Sequence, residues 1–249
     1  MTRNALSAVL TCLLLAAVSH AATYGTVELK YLGYNRQGAL WKGIRLKVDT
    51  NRDGGWDWNH NTVAGQYPFR WDGDDSALTD DEIRDALNQS PTSPILYGYC
   101  IDVAQDAGPG GGYSTFTVAD LEGMYIGGSD RGGAPARYLS NQSAAYLTEH
   151  FSRHWDLVTT RSAAASFAAV AWEIMYEDPF DLSDPTTQYN LGSGYVRAAD
   201  AGLGAAWLAD LDGTDFGDDV FALINEDYQD MSMPCPRQPM PATGCPLPP

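Results

Sequence analysis

Hydrophobic and polar residues alternate along two segments near the start of the chain. Residues 27–31 read VELKY and residues 44–48 read IRLKV. A period of two residues is typical of a strand with one buried face. An apolar run over residues 95–104 (ILYGYCIDVA) predicts a buried strand, and the glycine-rich segment 108–118 predicts a turn followed by another strand. Residues 49–80 are rich in acids and turn formers, which predicts a turn-rich stretch.

The pattern becomes helical in the second half of the chain. Apolar residues recur at steps of three and four from Asn141 to Val158, which predicts a helix. Ser162 is placed to cap a second, alanine-rich helix that extends to Tyr176, and residues 195–209 predict a third. Strands followed by helices predict an α+β fold, with an antiparallel β-sandwich or barrel lobe packed against a small helical lobe of three helices.

Residues 1–21 have the features of a secretory signal peptide. Arg3 gives a positive charge, residues 5–18 are apolar, and small residues precede the expected cleavage point. The apolar run is too short to span a bilayer comfortably. We therefore expect a secreted or cell-surface protein in which residues 22–232 form the folded module and residues 233–249 form an irregular, proline-rich tail.

The formal net charge of the chain is −17. Removal of the expected signal peptide takes away one arginine and no acid, which makes the charge −18. Such acidity argues against nucleic acid as a partner, because phosphates would be repelled. The acidity suits an extracellular protein, or one whose carboxylates hold cations, and we expect an extracellular protein or glycan of unknown identity as the partner.

Three cysteines follow the expected signal peptide, and an odd number leaves one outside any internal disulfide pair. Cys235 and Cys245 flank a proline-rich stretch, and we predict that they form a disulfide across it. Cys100 then remains alone in its apolar segment. A buried cysteine of this kind usually behaves as a small apolar residue.

Four segments of the chain carry a family resemblance in their order and spacing. They are AGQY at 64–67, YCID at 99–102, AAYL at 144–147 and FAAVAWEIMYE at 167–177. Together they resemble the bacterial secreted thioester domains, which include surface adhesins of Gram-positive bacteria. The resemblance implies that the strand carrying Cys100 adjoins the helix that begins near residue 162.

In that family the strand cysteine is joined to a helix glutamine with loss of ammonia, and the thioester captures an amine of a partner. The resemblance places the glutamine four residues before Trp172, where this chain has Ala168. An alanine methyl cannot acylate a thiol. The resemblance therefore implies the family fold with an inactive pair, Cys100 and Ala168, and we expect a binding or structural module without enzymatic activity.

A possible calcium site lies in residues 49–57, where oxygen-bearing residues alternate before and after Gly54. The candidate ligands are Asp49, Asn51, Asp53, the carbonyl of Gly55, and Asp57. The twelfth position is His60 rather than glutamate, so this is no ordinary EF-hand. Acids at 72, 74 and 75 can complete the shell if the loop folds back. The alternative is a polar hairpin turn.

Two further patterns have both a chemical and a structural interpretation. His150 and His154 lie four residues apart on one helix face, as two metal ligands can. The apolar residues around them favour histidines in or beside the core instead. Residues 210–215 contain three aspartates around a glycine, a pattern that favours a turn over half of a calcium loop.

The acidic composition leaves one enzymatic alternative, an extracellular hydrolase acting on carbohydrate. Glu173 and Glu177 lie one turn apart on the second predicted helix. Catalytic acids face each other across a cleft, so neighbours on one helix favour a solvated face instead. Among the aromatic residues, Trp56, Trp58 and Trp71 are candidates either to bind a glycan or to pack.

Overall fold

The computed structural model describes thirteen parts of the chain. They are residues 21–34, 37–49, 55–56, 58–71, 77–79, 95–101, 112–126, 137–177, 191, 196–199, 202–214, 220–225 and 231–234, and the side chains of 58–60, 126 and 137 are not described. The predicted α+β class is confirmed, because within these residues a six-stranded antiparallel barrel with additional strands packs against three helices.

The strands follow the chain in the order β1 to β10. Their bounds are Thr23–Tyr31, Trp41–Val48, Trp58–Trp71, Ile95–Cys100, Ser114–Asp120, Tyr125–Ile126, Arg137–Tyr138, Val196–Ala199, Val220–Ile224 and Met231–Pro234. The barrel is closed in the order β1-β5-β9-β10-β4-β3, because β3 also pairs with β1. Strands β2 and β8 extend the sheet from β3, and β6 pairs with β7 as a separate ribbon.

Strand β3 occupies part of the segment that was predicted to be turn-rich, so that prediction was wrong over Trp58–Trp71. Its first half pairs with β2 and its second half pairs with β4 and β1. The change occurs at Gly65, which has a φ of 145° and lies against the backbone of Leu40 and Trp41. A side chain at this position would collide with that backbone, so glycine lets one long strand serve both sheets.

The helices are α1 (Asn141–His154), α2 (Arg161–Tyr176) and α3 (Gly204–Ala209), and a short 3₁₀ turn over Trp155–Leu157 follows α1. The cap of α2 is Thr160 rather than the predicted Ser162, because the Thr160 hydroxyl accepts a bond from the Ala163 amide at 3.1 Å. Every residue of α2 from Ala163 to Tyr176 is buried. This helix is therefore the centre of the core and positions both clusters described below.

The predicted third helix is too long at its start. Val196–Ala199 form β8, which pairs antiparallel with β2, and of the described residues in the predicted range Gly204–Ala209 are helical. The alanines of 196–199 favour a helix locally, but pairing with β2 satisfies their backbone groups in the sheet.

The boundary predicted at residue 233 falls inside a strand. Met231–Pro234 form β10, which lies between β9 and β4 in the barrel, so Met233 and Pro234 are not part of an irregular tail. The signal peptide, the remainder of the tail and the predicted disulfide lie outside the described residues. Within those residues, no helix has the length and apolarity that a membrane span requires.

Candidate functional site

The end of β4 lies against α2 through two side-chain contacts. The indole Nε1–H of Trp172 donates a hydrogen bond to the carbonyl oxygen of Cys100 at 2.8 Å. One residue earlier, the Tyr99 ring packs on the Phe167 ring with centroids 4.4 Å apart. These contacts place the strand carrying Cys100 along the helix turn between Phe167 and Trp172.

Both members of the predicted inactive pair are buried. Cys100 is 0 % exposed and Ala168 is 1 % exposed. The expected burial of Cys100 is thus confirmed. Ala168 lies in the helix turn that β4 contacts, one turn before Trp172. A direct approach of Cys100 to Ala168 stays a prediction, supported by the two contacts on either side of it.

Tyr67 is the titratable neighbour of the thiol. Burial, and to a lesser degree Cys100, raises the pKa of Tyr67 well above its usual value. Its hydroxyl donates to the carbonyl of Val63 at 3.0 Å. The phenol therefore stays neutral at physiological pH and is not a base that can activate the cysteine.

A second cluster, polar rather than apolar, lies on the other side of Phe167. His150 Nε2 is 3.1 Å from the carbonyl oxygen of Phe167, and the Nδ1 atoms of His150 and His154 are 3.0 Å apart. His154 Nε2 is 3.4 Å from Asp210 Oδ2. Both histidines are buried, which confirms that they belong to the core rather than to an open ligand site.

Aromatic rings enclose this histidine pair. The His150 ring packs on Phe167 at a centroid distance of 4.0 Å, and the His154 ring stacks on Trp207 at 5.0 Å. Desolvation lowers the pKa of His150 well below its ordinary value, and the neighbouring His154 lowers it further. Desolvation also lowers the pKa of His154, although Asp210 opposes that shift.

Glu149 organises the turn after α3 and was not identified from the sequence. Its buried carboxylate accepts hydrogen bonds from the amides of Asp212 and Gly213, with distances from 2.8 to 3.1 Å, and its Oε1 lies 2.9 Å from Arg153 Nε. The predicted turn at 210–215 is confirmed over its described part, since the Thr214 amide donates to Asp212 Oδ1 at 2.9 Å. Glu149 and Arg153 lie four residues apart, as His150 and His154 do, and this shared spacing was the signal in the sequence that could have identified Glu149.

The candidate calcium ligands are only partly described. Asp49 lies at the end of β2 and is 5 % exposed, and Gly55 is exposed. Asn51, Asp53 and Asp57 lie outside the described residues, as do the acids at 72, 74 and 75. No group of three or more metal-binding side chains occurs among the residues that the structure describes. Calcium binding therefore stays a prediction.

The two described tryptophans of the acidic segment both pack against the protein. Trp71 is buried in the barrel core. Trp56 is half-buried, with Arg197 Cζ at 4.6 Å and Lys47 Nζ at 5.5 Å from its ring centroid. Lys47 and Arg197 are cross-strand partners of β2 and β8. The indole therefore covers a pair of cations on the outer sheet face.

The solvated face predicted for Glu173 and Glu177 was wrong, because both carboxylates are buried. Glu177 Oε1 accepts a hydrogen bond from the Val196 amide at 3.1 Å. Glu177 thus holds the start of β8 against the end of α2, which is a structural role.

Compared with models of protein families, with curated proteins and with solved structures, the chain matches none.

Proposed function

We propose that this protein is an exported, non-covalent binding or structural module with a fold of the thioester-domain type. Its partner class is an extracellular protein or glycan. The observation that carries the proposal is the contact between the end of β4 and α2 at Trp172 and Phe167. The helix turn beside Cys100 therefore carries Ala168 where the chemistry of the family needs glutamine.

The burial of Cys100 supports the proposal that its thiol is unreactive. The thiol of Cys100 lies in a fully buried residue, and the helix stretch beside it consists of alanines, valine and aromatic residues. Such surroundings favour the neutral thiol over the nucleophilic thiolate. Association through any other surface is then reversible, because the core offers no electrophile to a partner.

The hydrolase alternative finds no support in the acid pair that suggested it. Glu173 and Glu177 are buried on a core helix, and Glu177 bonds to backbone. A pair of glycosidase carboxylates has to reach a bound sugar across a cleft. We therefore retain the binding module as the proposed function.

The test separates reversible from covalent capture. The mature protein, immobilised through its carboxyl terminus, is incubated with extracellular matrix proteins and with glycans and then washed in denaturant. We expect every retained partner to elute, and the immobilised chain to keep its original mass. A partner that stays attached through denaturation would contradict the proposal.

The variant Ala168→Gln tests the reason for the silence. If Ala168 faces Cys100, the new carboxamide can acylate the thiol, and the variant should lose one ammonia and capture methylamine. The matched control is the double variant Cys100→Ala/Ala168→Gln, which has the same added volume and no thiol. A folded Ala168→Gln variant with an unchanged mass would contradict the assigned pairing of positions.

A further inference from the structure

Hydrogen-bond geometry fixes where the protons of the histidine pair lie at neutral pH. The carbonyl of Phe167 can only accept, so His150 Nε2, at 3.1 Å from it, carries the proton of that ring. His150 Nδ1 is then an acceptor. His154 Nδ1, 3.0 Å away, therefore donates to it, and His154 Nε2 is left without a proton.

The folded histidine pair can accept one additional proton, on His154 Nε2. His154 Nε2 faces Asp210 Oδ2 at 3.4 Å, where an unprotonated nitrogen meets a carboxylate and forms no hydrogen bond. Protonation there converts the contact into an ion pair. The Asp210 side chain is 59 % exposed, so the proton can arrive from solvent along the carboxylate.

A second additional proton does not fit. It would have to go onto His150 Nδ1, which would place two N–H groups and two positive rings against each other across 3.0 Å. Among the residues that the structure describes, the charged groups around the pair are Glu149 and Arg153 from α1, and Asp210 and Asp212 from the turn after α3. Glu149 is engaged by Arg153 and by two backbone amides, and α2 contributes only the Phe167 carbonyl to the ring nitrogens.

The same residues attach the turn after α3 to α1. Trp207 of α3 stacks on His154, Asp210 faces His154 Nε2, and the amides of Asp212 and Gly213 bond to Glu149. We call residues 204–214 the latch segment. Disruption of the histidine pair removes the Trp207 and Asp210 contacts of this segment, and leaves the two amide bonds to Glu149 to hold its end.

We propose that the His150–His154 pair holds at most one additional proton while the chain is folded, and that it is therefore an acid-sensitive latch for residues 204–214. An unfolded or opened chain accepts two protons, one on each imidazole. Because the folded pKa values of both histidines lie below the ordinary value, the unfolded chain binds more protons once the pH falls below about 6.5. Stability must then decrease as the pH falls through this value, and rise again as the pH is raised.

The first test is urea unfolding of the mature chain between pH 7.5 and pH 5. A difference of one proton changes the unfolding constant by about tenfold per pH unit, and we expect at least that dependence towards pH 5. The variant His150→Gln/His154→Asn keeps donors near both positions and cannot take up a proton, so its dependence should be smaller by at least tenfold per pH unit. Glu28→Gln, at an exposed position of β1, is the control and should leave the dependence as in the wild type. An equal dependence in the wild type and the double variant would overturn the proposal.

A second variant keeps both histidines and tests the limit of one proton. Asp210→Asn removes the partner of the His154 cation, so the folded chain should take up fewer protons and the dependence should steepen towards about a hundredfold per pH unit. Asp156→Asn, at an exposed acid of the 3₁₀ turn, is the control. A dependence in Asp210→Asn that equals the control would overturn the proposed role of Asp210.

Hydrogen exchange of the wild type tests the location of the latch. After correction for intrinsic rates, the amides of 207–214 should lose protection between pH 7.5 and pH 5 before those of β2 (Trp41–Val48) do. Simultaneous loss across both segments would show global destabilisation instead, and would overturn the assignment to a local latch.

Discussion

Two clusters meet at Phe167 of α2, and they differ in almost every physical property. On one side, Tyr99, Cys100 and Trp172 form an apolar contact between a barrel strand and a core helix. On the other side, His150 and His154 form a buried titratable pair. The resemblance directs attention to the first cluster, yet the groups that can respond to their surroundings lie in the second.

Burial affects the pH dependence of the two clusters in opposite ways. A cysteine and an alanine lose little solvation free energy when they are buried, so the stability that the first cluster contributes does not depend on pH. Imidazoles are harder to charge once they are buried, so the second cluster makes stability depend on pH. Within two turns, helix α2 therefore takes part in one contact that does not respond to pH and in one contact that does.

The largest effect is expected where the two clusters share a residue. Phe167→Ala removes a ring that contacts both Tyr99 and His150, and large-to-small changes of this kind cost about 3–5 kcal/mol. Urea unfolding at pH 7.5 measures the loss. Leu157→Ala, at an exposed position, is the control and should change stability little. If Phe167→Ala lost no more unfolding free energy than Leu157→Ala, the ring would not be central to either cluster.

A smaller effect is expected on the polar side alone. Glu149→Gln removes the negative charge that binds Arg153 and two backbone amides, at a cost of about 2–3 kcal/mol. Hydrogen exchange should show the loss of protection concentrated in residues 210–214. Glu28→Gln, at an exposed position of β1, is the matched control. Equal stability of the two variants would contradict the role given to Glu149.

On the apolar side, Trp172→Phe keeps a large ring but removes the donor to Cys100. An acceptor that loses its partner in the core costs about 1–2 kcal/mol. The change should leave the pH dependence of stability as in the wild type, because the histidine pair is untouched. Trp56→Phe, at a half-buried indole on the outer sheet face, is the control. A changed pH dependence would show that the two clusters are not independent.

The smallest effect is expected from the predicted calcium loop, which lies in neither cluster. Weak extracellular sites have dissociation constants of about 10⁻⁴–10⁻³ M. Calorimetry of the mature protein with calcium should show heat that disappears in Asp49→Ala and persists in Asp156→Ala. Absence of heat in the wild type would remove the site and leave a polar turn after β2.

The sequence predicted those elements whose local pattern agrees with their tertiary surroundings. Residues 27–31 and 44–48 alternate cleanly and are strands, and α1 and α2 have helical periodicity. Strand β3 was missed because Gly65 and Pro68 indicate a turn locally. The alternation of Tyr67, Phe69 and Trp71 was the correct signal, and the flanking strands supply the pairing that overrides the two breakers.

The sequence predicted the burial of the histidines but not the groups that contact them. The burial of the histidines followed from their apolar neighbours on one helix. Their partners did not, because the Phe167 carbonyl and Asp210 come from α2 and from the turn after α3. Contacts between distant segments leave no periodicity in the chain. The burial of Glu173 was missed for the same reason, since the strands around α2 cover the face that a charge was expected to keep solvated.

We propose that the protein has no reactive thioester at Cys100, and the intact mass of the protein measures this directly. The mature chain is weighed under denaturing conditions before and after incubation with methylamine. We expect the mass of the unmodified sequence, allowing for a disulfide between Cys235 and Cys245, and no added amine. A mass lower by one ammonia, restored with methylamine attached, would contradict it and show that a glutamine elsewhere in the chain has taken the role.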